Sequence, residues 1–543
     1  MMKYEMSNLA AIMPSKRVSW FFLLLILTAA GVARYGLLDV PLERDEGEYA
    51  YAAQLILSGS YPYAAVYNMK FPGTYFVYAV ILSILGDTHQ DIHFALLLVN
   101  GISILFLFLL AGKILNSFGA IFAAASFAVL SLSPSVQGMF ANAEHFVVVF
   151  ALAGIYFILL ALESNKRHSF FIAGLLLGTS VVMKQNGILF VIFGIFFIAY
   201  HSMITRPVQR GTSCCRLLVF LAGVGTIIAV LFLWLVRVGI FDAFRFWTID
   251  YAGTYVGQVP IRYAWRLFSN TFSAILRSAP LLCAVSGFGL FLLPFLKKAA
   301  TEKSFFLLLL LFSLLSICPG LYFRPHYFIL LLPCASLLAG MAADFLIRLL
   351  SGYRSGIGRF GLPVFLVLIC LGQAVAKQSD LLFHMTPFQI SRLIYDRNPF
   401  PESLFIADFI REHSDTDDQV AILGSEPQIL FYAKRKGVSG YIYMYPLMEK
   451  HAFAAKMRKD FIQDIEDHNP RYLVLVNISY SWLGDPLAQV EILKWFMEYR
   501  KTKSIQLVGS VELFYDHSNY SWGSDARWPV HSNDWVVIFE RKH

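Results

Sequence analysis

WFFLLLILTAAGVARYGLL, residues 20–38, and LLVFLAGVGTIIAVLFLWLV, residues 217–236, decide the fold class. Each reaches the roughly 20 apolar residues that carry a helix across a bilayer, and similar tracts recur through the first two thirds of the chain. Its composition is 57% hydrophobic and 15% charged, against roughly 25% charged in a typical soluble domain. Together these observations imply a polytopic α-helical membrane protein. The first tract is too long for a cleaved signal and has no small-residue cleavage site, so it is expected to remain as a helix.

Working outward from these tracts, spans are expected near 19–38, 91–112, 117–134, 145–163, 169–183, 187–202, 217–236, 279–296, 304–318, 327–345 and 361–377. The segment GTYFVYAVILSILG (73–86) is apolar but short, and reads as a re-entrant or interfacial helix. With that assignment Lys3, Lys16, Arg17, Lys113, Lys166, Arg167, Arg206, Arg210, Arg216, Lys297, Lys298, Lys303, Arg348, Arg354 and Arg359 fall on one side, which the positive-inside rule makes cytoplasmic. Acids gather on the opposite side: Asp39, Glu43, Asp45, Glu46, Glu48, Asp87, Asp91, Glu144, Asp242 and Asp250. Three outward segments are long enough to build a site, namely 39–90, 237–278 and the tail.

The tail differs in character. Residues 378–543 hold 18 Lys and Arg against 22 Asp and Glu, a net −4 within a chain of net +8. The basic charge thus belongs to the membrane part, where it sets orientation, and is no nucleic-acid signal. Strand-like QVAILG (419–424), RYLVLVN (471–477), QLVGSVELFY (506–515) and DWVVIFE (534–540) alternate with helix-like SLFIADFIREH (403–413) and KMRKDFIQDIEDH (456–468). That alternation predicts a soluble α/β domain over 378–543, following a transmembrane domain over 1–377. The six cysteines stop at Cys370, so the tail is no disulfide scaffold, and Cys214 and Cys215 fall in a loop read as cytoplasmic. No internal repeat supports an inverted-repeat transporter.

The densest polar cluster is PLERDEGEYAYAAQLILSGSYPYAAVYNMKFPG (41–73). Asp45 followed by Glu48 reads as a capping box opening an amphipathic helix over 46–57 whose apolar face lies in the membrane interface; Asp45 also reads as a general base. Glu144, in NAEHFVVVF, is either a helix N-terminal acid beside a snorkelling His145 or a second catalytic acid. Lys184, in VVMKQNG, is an interfacial anchor or a functional cation. Arg324, His326 and Tyr327, with Tyr322, stand at the outer end of a further helix as an anchor belt or a binding group. His89, His93 and His145 share no metal-ligand spacing. Two outward carboxylates with several outward cations, Arg262 and Arg266 included, suit group transfer from a lipid phosphate. A carboxylate deprotonates the acceptor hydroxyl while cations stabilise the charge growing on the departing phosphate.

On these residues the sequence resembles the GT-C glycosyltransferases, specifically the bacterial group related to protein O-mannosyltransferases and to the lipid A aminoarabinose transferase. The resemblance covers roughly residues 19–345. RDEGEYAYAAQLILSG followed by MKFPG is similar to the acidic first outer loop and lysine-proline element of that group. It implies that Asp45 is the catalytic aspartate and that Lys70 contacts the donor phosphate. Glu144 is similar to the second outer acid, Lys184 to the basic residue after the fifth helix, and FRPHYFILLLP to the late basic-tyrosine motif. Where the aminoarabinose transferase has a metal-ligating glutamate, this chain has Met69. No cofactor is therefore assigned, with a divalent cation left open.

The expected activity is an inverting transfer of a sugar from a polyprenyl-phosphate donor to a glycan, lipid or protein acceptor at the periplasmic face of a bacterial inner membrane. Asp45 and Glu144 are the expected catalytic residues; Glu46, Lys70, Lys184, Arg324, His326 and Tyr327 are expected to bind substrate. FRFWTIDYAGTYVGQ (244–258) and the tail are expected to shape an acceptor groove. Two other readings stand beside it: a flippase or transporter of lipid-linked sugars, and a noncatalytic glycolipid binder.

Overall fold

A computed structural model of the protein describes residues 15–205, 210–295, 299–350, 361–528 and 531–541. Lys3, Arg206, Lys297, Lys298, Arg354 and Arg359, which entered the charge argument, lie outside them. Helices occur at every expected span: Lys16–Tyr35, His89–Ile114, Ser117–Leu130, Ala143–Ser164, Arg167–Met183, Ile188–Thr205, Arg210–Arg237, Pro280–Leu292, Ala300–Ser316, Leu332–Leu350 and Leu362–Ala376. Among the described residues six helical stretches are long and apolar enough to cross a bilayer alone. A seventh crossing arises if the Ile261–Ser278 and Pro280–Leu292 helices, bent by 109° at their junction, form one span. Ser117–Leu130, Arg167–Met183 and Leu362–Ala376 are shorter apolar helices. The protein is thus a multi-pass membrane protein.

Close packing of these helices uses small residues, as expected where lipid removes the hydrophobic drive between helices. Ser117–Leu130 meets Leu332–Leu350 at Gly119 and Gly340, where a Cβ on either would lie 2.6 or 2.5 Å from the other's carbonyl oxygen. At one end of the bundle Lys113 pairs with Glu163 at 2.6 Å, and Arg216 reaches Asn165 at 2.7 Å and Ser202 at 3.3 Å. Lys113 and Arg216 thus lie at a common end of the bundle.

The segment at 73–86 forms a twelve-residue helix, Gly73–Ile84, too short to span. Hydrogen bonds from Thr74 to the Met183 carbonyl (2.9 Å) and from Tyr78 to the Ala141 carbonyl (2.8 Å) hold it against the bundle.

The helix of the first outer loop runs Arg44–Leu57 and corrects two expectations. Its capping box is formed by Glu43 and Glu46, each carboxylate accepting from the other's backbone N–H at 3.2 Å. The sequence satisfies the same spacing at Asp45 and Glu48, but starting the helix two residues earlier puts both of those acids inside it. Nor does the helix present an apolar face to the membrane interface. Tyr49, Ala50, Tyr51, Ala52 and Ala53 are all buried, because the helix is covered by the C-terminal part of the chain.

That part carries a six-stranded sheet in the order β2-β1-β3-β6-β4-β5, with β1 Gln419–Leu423, β2 Lys436–Gly437, β3 Tyr472–Asn477, β4 Ile505–Leu513, β5 Ser518–Trp522 and β6 Trp535–Arg541. β1 pairs in parallel with β2 and β3, whereas β3–β6, β6–β4 and β4–β5 are antiparallel. β3 is buried along Tyr472–Val476, which explains its uninterrupted apolar sequence. Arg44 fastens this unit to the membrane part, reaching Glu426 at 2.6 Å, the Ser425 carbonyl at 2.5 Å and Asn398 at 2.9 Å. The Tyr432 hydroxyl accepts from the Leu42 N–H, the Tyr51 hydroxyl accepts from the Gly437 N–H, and the Gly440 carbonyl accepts from the Tyr67 N–H.

Gly47 lies at the tightest point of this contact, where an added Cβ would stand 2.7 Å from Gln428 Cβ and N. Both neighbours are fixed by helices, so Gly47→Ala is expected to cost about 1–3 kcal/mol, as overpacking does. A lowered midpoint of thermal unfolding in detergent, with faster proteolysis of the C-terminal unit, is the measurement that checks it.

Candidate active site

Asp45 sits in the first turn of the Arg44–Leu57 helix, and Glu48 follows one turn later on the same face. Lys70, from the loop that precedes Gly73–Ile84, places its ammonium between them: Nζ is 3.0 Å from Asp45 Oδ1 and 2.6 Å from Glu48 Oε2. The ammonium also lies over the rings of Tyr49 (4.4 Å) and Tyr443 (5.9 Å). Glu48 is wholly buried and accepts a second hydrogen bond from the Tyr75 hydroxyl. Asp45 is 28% exposed by its side chain and accepts from the Tyr443 hydroxyl at 3.2 Å. The same hydroxyl bonds the Arg44 carbonyl at 3.0 Å, so the C-terminal unit helps aim the aspartate.

Burial pushes the Asp45 carboxyl upward, but Lys70, His326 and Arg324 outweigh it and hold it below the usual carboxylate range. Burial pulls Lys70 down and its two carboxylates more than restore it, so its proton is held more firmly than an ordinary lysine's. Glu48 goes the other way: burial raises it, Lys70 lowers it and Asp45 raises it again, for a net rise. Asp45 is therefore held as a carboxylate and Lys70 as a cation.

Glu144 and Lys184 form the second pair. Glu144 opens the Ala143–Ser164 helix, and Lys184 follows the last turn of Arg167–Met183; their side chains are in direct contact. The Lys184 ammonium lies 4.3 Å from the centre of the Tyr327 ring. His326 donates its Nδ1–H to Gln137 Oε1 at 3.0 Å, and lies within electrostatic reach of Glu144, Lys184, Asp45 and Arg324. His326 and Tyr327 therefore connect the two acid–base pairs. Arg324 is exposed beside them, its guanidinium 5.5 Å from the Tyr322 ring, which stacks on Tyr255 at 4.7 Å.

Of the expected residues, Asp45, Lys70, Arg324, His326, Tyr327, Lys184 and Glu144 are thus gathered in one region. Glu46 faces away from this region: it is wholly buried, and its carboxylate meets His93 Nε2 at 3.0 Å and the Ala141 N–H while capping Glu43. Facing inward, it fixes the helix rather than a ligand. His145 does not snorkel either; it is 2% exposed and bonds Asn100 at 3.2 Å. Arg262 and Arg266 are exposed on the Ile261–Ser278 helix. Sequence reasoning missed Glu48, which it used as a cap, and Tyr443 and Tyr445, whose rings stack at 5.4 Å. The alternation of Tyr441, Tyr443 and Tyr445 was the available signal.

Among the described residues the donor set does not suit a divalent cation. Among the described residues no three His, Cys, Asp or Glu side chains converge as metal ligands, and the two carboxylates that do converge share Lys70. Met69 contributes only its carbonyl, which accepts from Gln185 at 2.6 Å. No step below uses a metal.

Residues 69–235 match the family model described as dolichyl-phosphate-mannose-protein mannosyltransferase. Among solved structures, ArnT from Cupriavidus metallidurans bound to undecaprenyl phosphate is similar over 95% of this chain and 97% of its own, with a TM-score of 0.62 and 14% identity. The apo form of the same enzyme aligns over 97% and 98%, with a TM-score of 0.58 and 15% identity. An Archaeoglobus fulgidus oligosaccharyltransferase tethered to an acceptor peptide aligns over 95% of this chain and 75% of its own, with a TM-score of 0.54 and 14% identity. No curated protein sequence matches the chain. The protein has the GT-C glycosyltransferase fold.

The Glu144–Lys184 pair generates a stability prediction. Glu144 Oε2 has no hydrogen-bond partner, so Lys184→Met would leave a buried carboxylate without its cation. A loss of about 3–5 kcal/mol is expected, the cost of breaking a buried pair from one side. Thermal unfolding should show Lys184→Met to be worse than the double variant Glu144→Gln/Lys184→Met.

Proposed function

We propose that the protein transfers a sugar from a polyprenyl-phosphate donor to an acceptor hydroxyl, with inversion at the anomeric carbon. The observation that carries this reading is the pairing of an ionised, partly exposed Asp45 with Lys70, beside the exposed Arg324. Asp45 takes the proton of the acceptor hydroxyl as its oxygen attacks the anomeric carbon from the side opposite the phosphate. The glycosidic C–O bond breaks, and the electron pair leaves with the polyprenyl phosphate. Lys70, Arg324 and Lys184 stabilise the charge that grows there, the kind of preorganised electrostatics that dominates such catalysis. Glu144 orients Lys184 and, with His326 and Tyr327, forms the wall between the two pairs.

The ArnT structure holds undecaprenyl phosphate, which supports a lipid-linked donor on this fold, and the archaeal oligosaccharyltransferase holds an acceptor peptide, which supports a separate acceptor. Residues 1–377 would form the membrane catalytic unit and 378–543 a second unit on the periplasmic side of the inner membrane. Loop cations clustered at the opposite end of the bundle support that orientation. The stacked Tyr255 and Tyr322, with Tyr443 and Tyr445, would offer apolar faces to an acceptor glycan or lipid.

Membranes containing equal amounts of wild type or Asp45→Asn, given radiolabelled polyprenyl-phosphate sugars and a cell-envelope acceptor extract, test the proposal. Wild type should transfer label and Asp45→Asn should lose about 100-fold or more, the range of a general base, while retaining undecaprenyl phosphate binding. Equal transfer by both would remove Asp45 from the mechanism. In Lys70→Met the burial of Asp45 would lose its main opponent, so the carboxyl would protonate at higher pH and the acid limb of the rate profile should move upward.

A further inference from the structure

Glu48 has no part in the chemistry above, yet the structure places it at the centre of it. A second buried carboxylate beside a phosphate site should be unfavourable, because it repels the phosphate and, being out of water, must be compensated. Its surroundings offset part of that cost: one oxygen accepts from the Tyr75 hydroxyl and the other meets Lys70 at 2.6 Å. Lys70 stands closer to Glu48 than to Asp45, at 3.0 Å. An ammonium has three donors; two are used on these carboxylates, and the Lys70 side chain remains 20% exposed.

A lysine paired with Asp45 alone would sit on the base and draw down its affinity for a proton. A lysine anchored deeper, on a buried carboxylate, stays in reach of both Asp45 and an incoming phosphate without being surrendered to either. We propose that Glu48, held by Tyr75, is a positioning residue that shares the Lys70 ammonium with Asp45 and so keeps Asp45 competent as a base. This rests on the glycosyl-transfer reading and adds to it a division of the cation between two carboxylates.

The groups facing Asp45 come from every side. Lys70, Glu48, Glu43 and Tyr49 belong to the first outer loop. Arg324, His326 and Tyr327 come from the late motif, and Tyr443 and Tyr445 from the C-terminal unit. All but Glu48 itself persist in Glu48→Gln, which removes one charge, keeps one oxygen to accept from Tyr75 and turns an NH2 group towards Lys70. Lys70 would then pair with Asp45 alone.

The test compares wild type, Glu48→Gln, Glu48→Asp and Tyr75→Phe, each as full-length protein in nanodiscs, in sugar transfer and in direct binding of undecaprenyl phosphate. Glu48→Gln should lower kcat by about tenfold, the effect of one pK unit on a base. It should bind undecaprenyl phosphate as tightly as wild type or more tightly, since a repelling charge has gone, and its acid limb should move to lower pH. Glu48→Asp, which keeps the charge, should restore much of kcat. A parallel loss of kcat and binding would mark Glu48 as merely structural, and an unchanged variant would mark it as irrelevant; either overturns the proposal.

If Glu48→Gln does not fold, Tyr75→Phe decides the matter. With one donor fewer, Glu48 draws harder on Lys70, and the acid limb should move to higher pH; a limb that stays or falls overturns the proposal. Wild type that neither binds undecaprenyl phosphate nor transfers sugar would instead overturn the glycosyl-transfer reading, and this inference with it.

Discussion

A carboxylate withdrawn from water must be met by a cation or by fixed donors, and that requirement organises the end of this protein that carries Asp45. Glu48 is met by Lys70 and Tyr75, Glu46 by His93 and a backbone N–H, Glu144 by Lys184 and Glu426 by Arg44. Each match joins segments distant in the chain. Together they fix the first outer loop against the bundle on one side and the sheet-bearing unit on the other. Beside these pairs Asp45, 28% exposed by its side chain, and the exposed Arg324 keep access to solvent.

Much of the membrane architecture was legible because lipid imposes a simple rule on composition. The eleven apolar tracts each became a helix, and the scarcity of charge made every outward acid conspicuous. Asp45, Lys70, Glu144 and Lys184 could be picked out for that reason. What the sequence left undecided was register. ERDEGE (43–48) satisfies the capping spacing both from Glu43 and from Asp45, and choosing the second turned Glu48 into a cap and hid its contact with Lys70. The choice is made by burial: the earlier start lets Glu46 reach His93 and the Ala141 N–H, partners that lie 47 and 95 residues away.

Tyr443 was invisible for a related reason. Nothing local distinguishes it from Tyr441, whose ring packs against Tyr67 and Trp247 in the core. Its role depends on a docking contact between segments about 400 residues apart, set by Arg44 and by the absence of a side chain at Gly47. The α/β character of the tail could be read from alternating strands and helices, but where it would sit could not.

The docking of Tyr443 onto Asp45 has a consequence for biosynthesis. Ribosomes deliver the aspartate and the lysine early, in the first 70 residues, whereas the tyrosine that completes their setting emerges after more than 440. A nascent chain therefore holds Asp45 and Lys70 in an unroofed loop until Tyr443 has emerged. The contact that aims the aspartate forms only when the C-terminal unit has folded against that loop, so shorter nascent chains lack it.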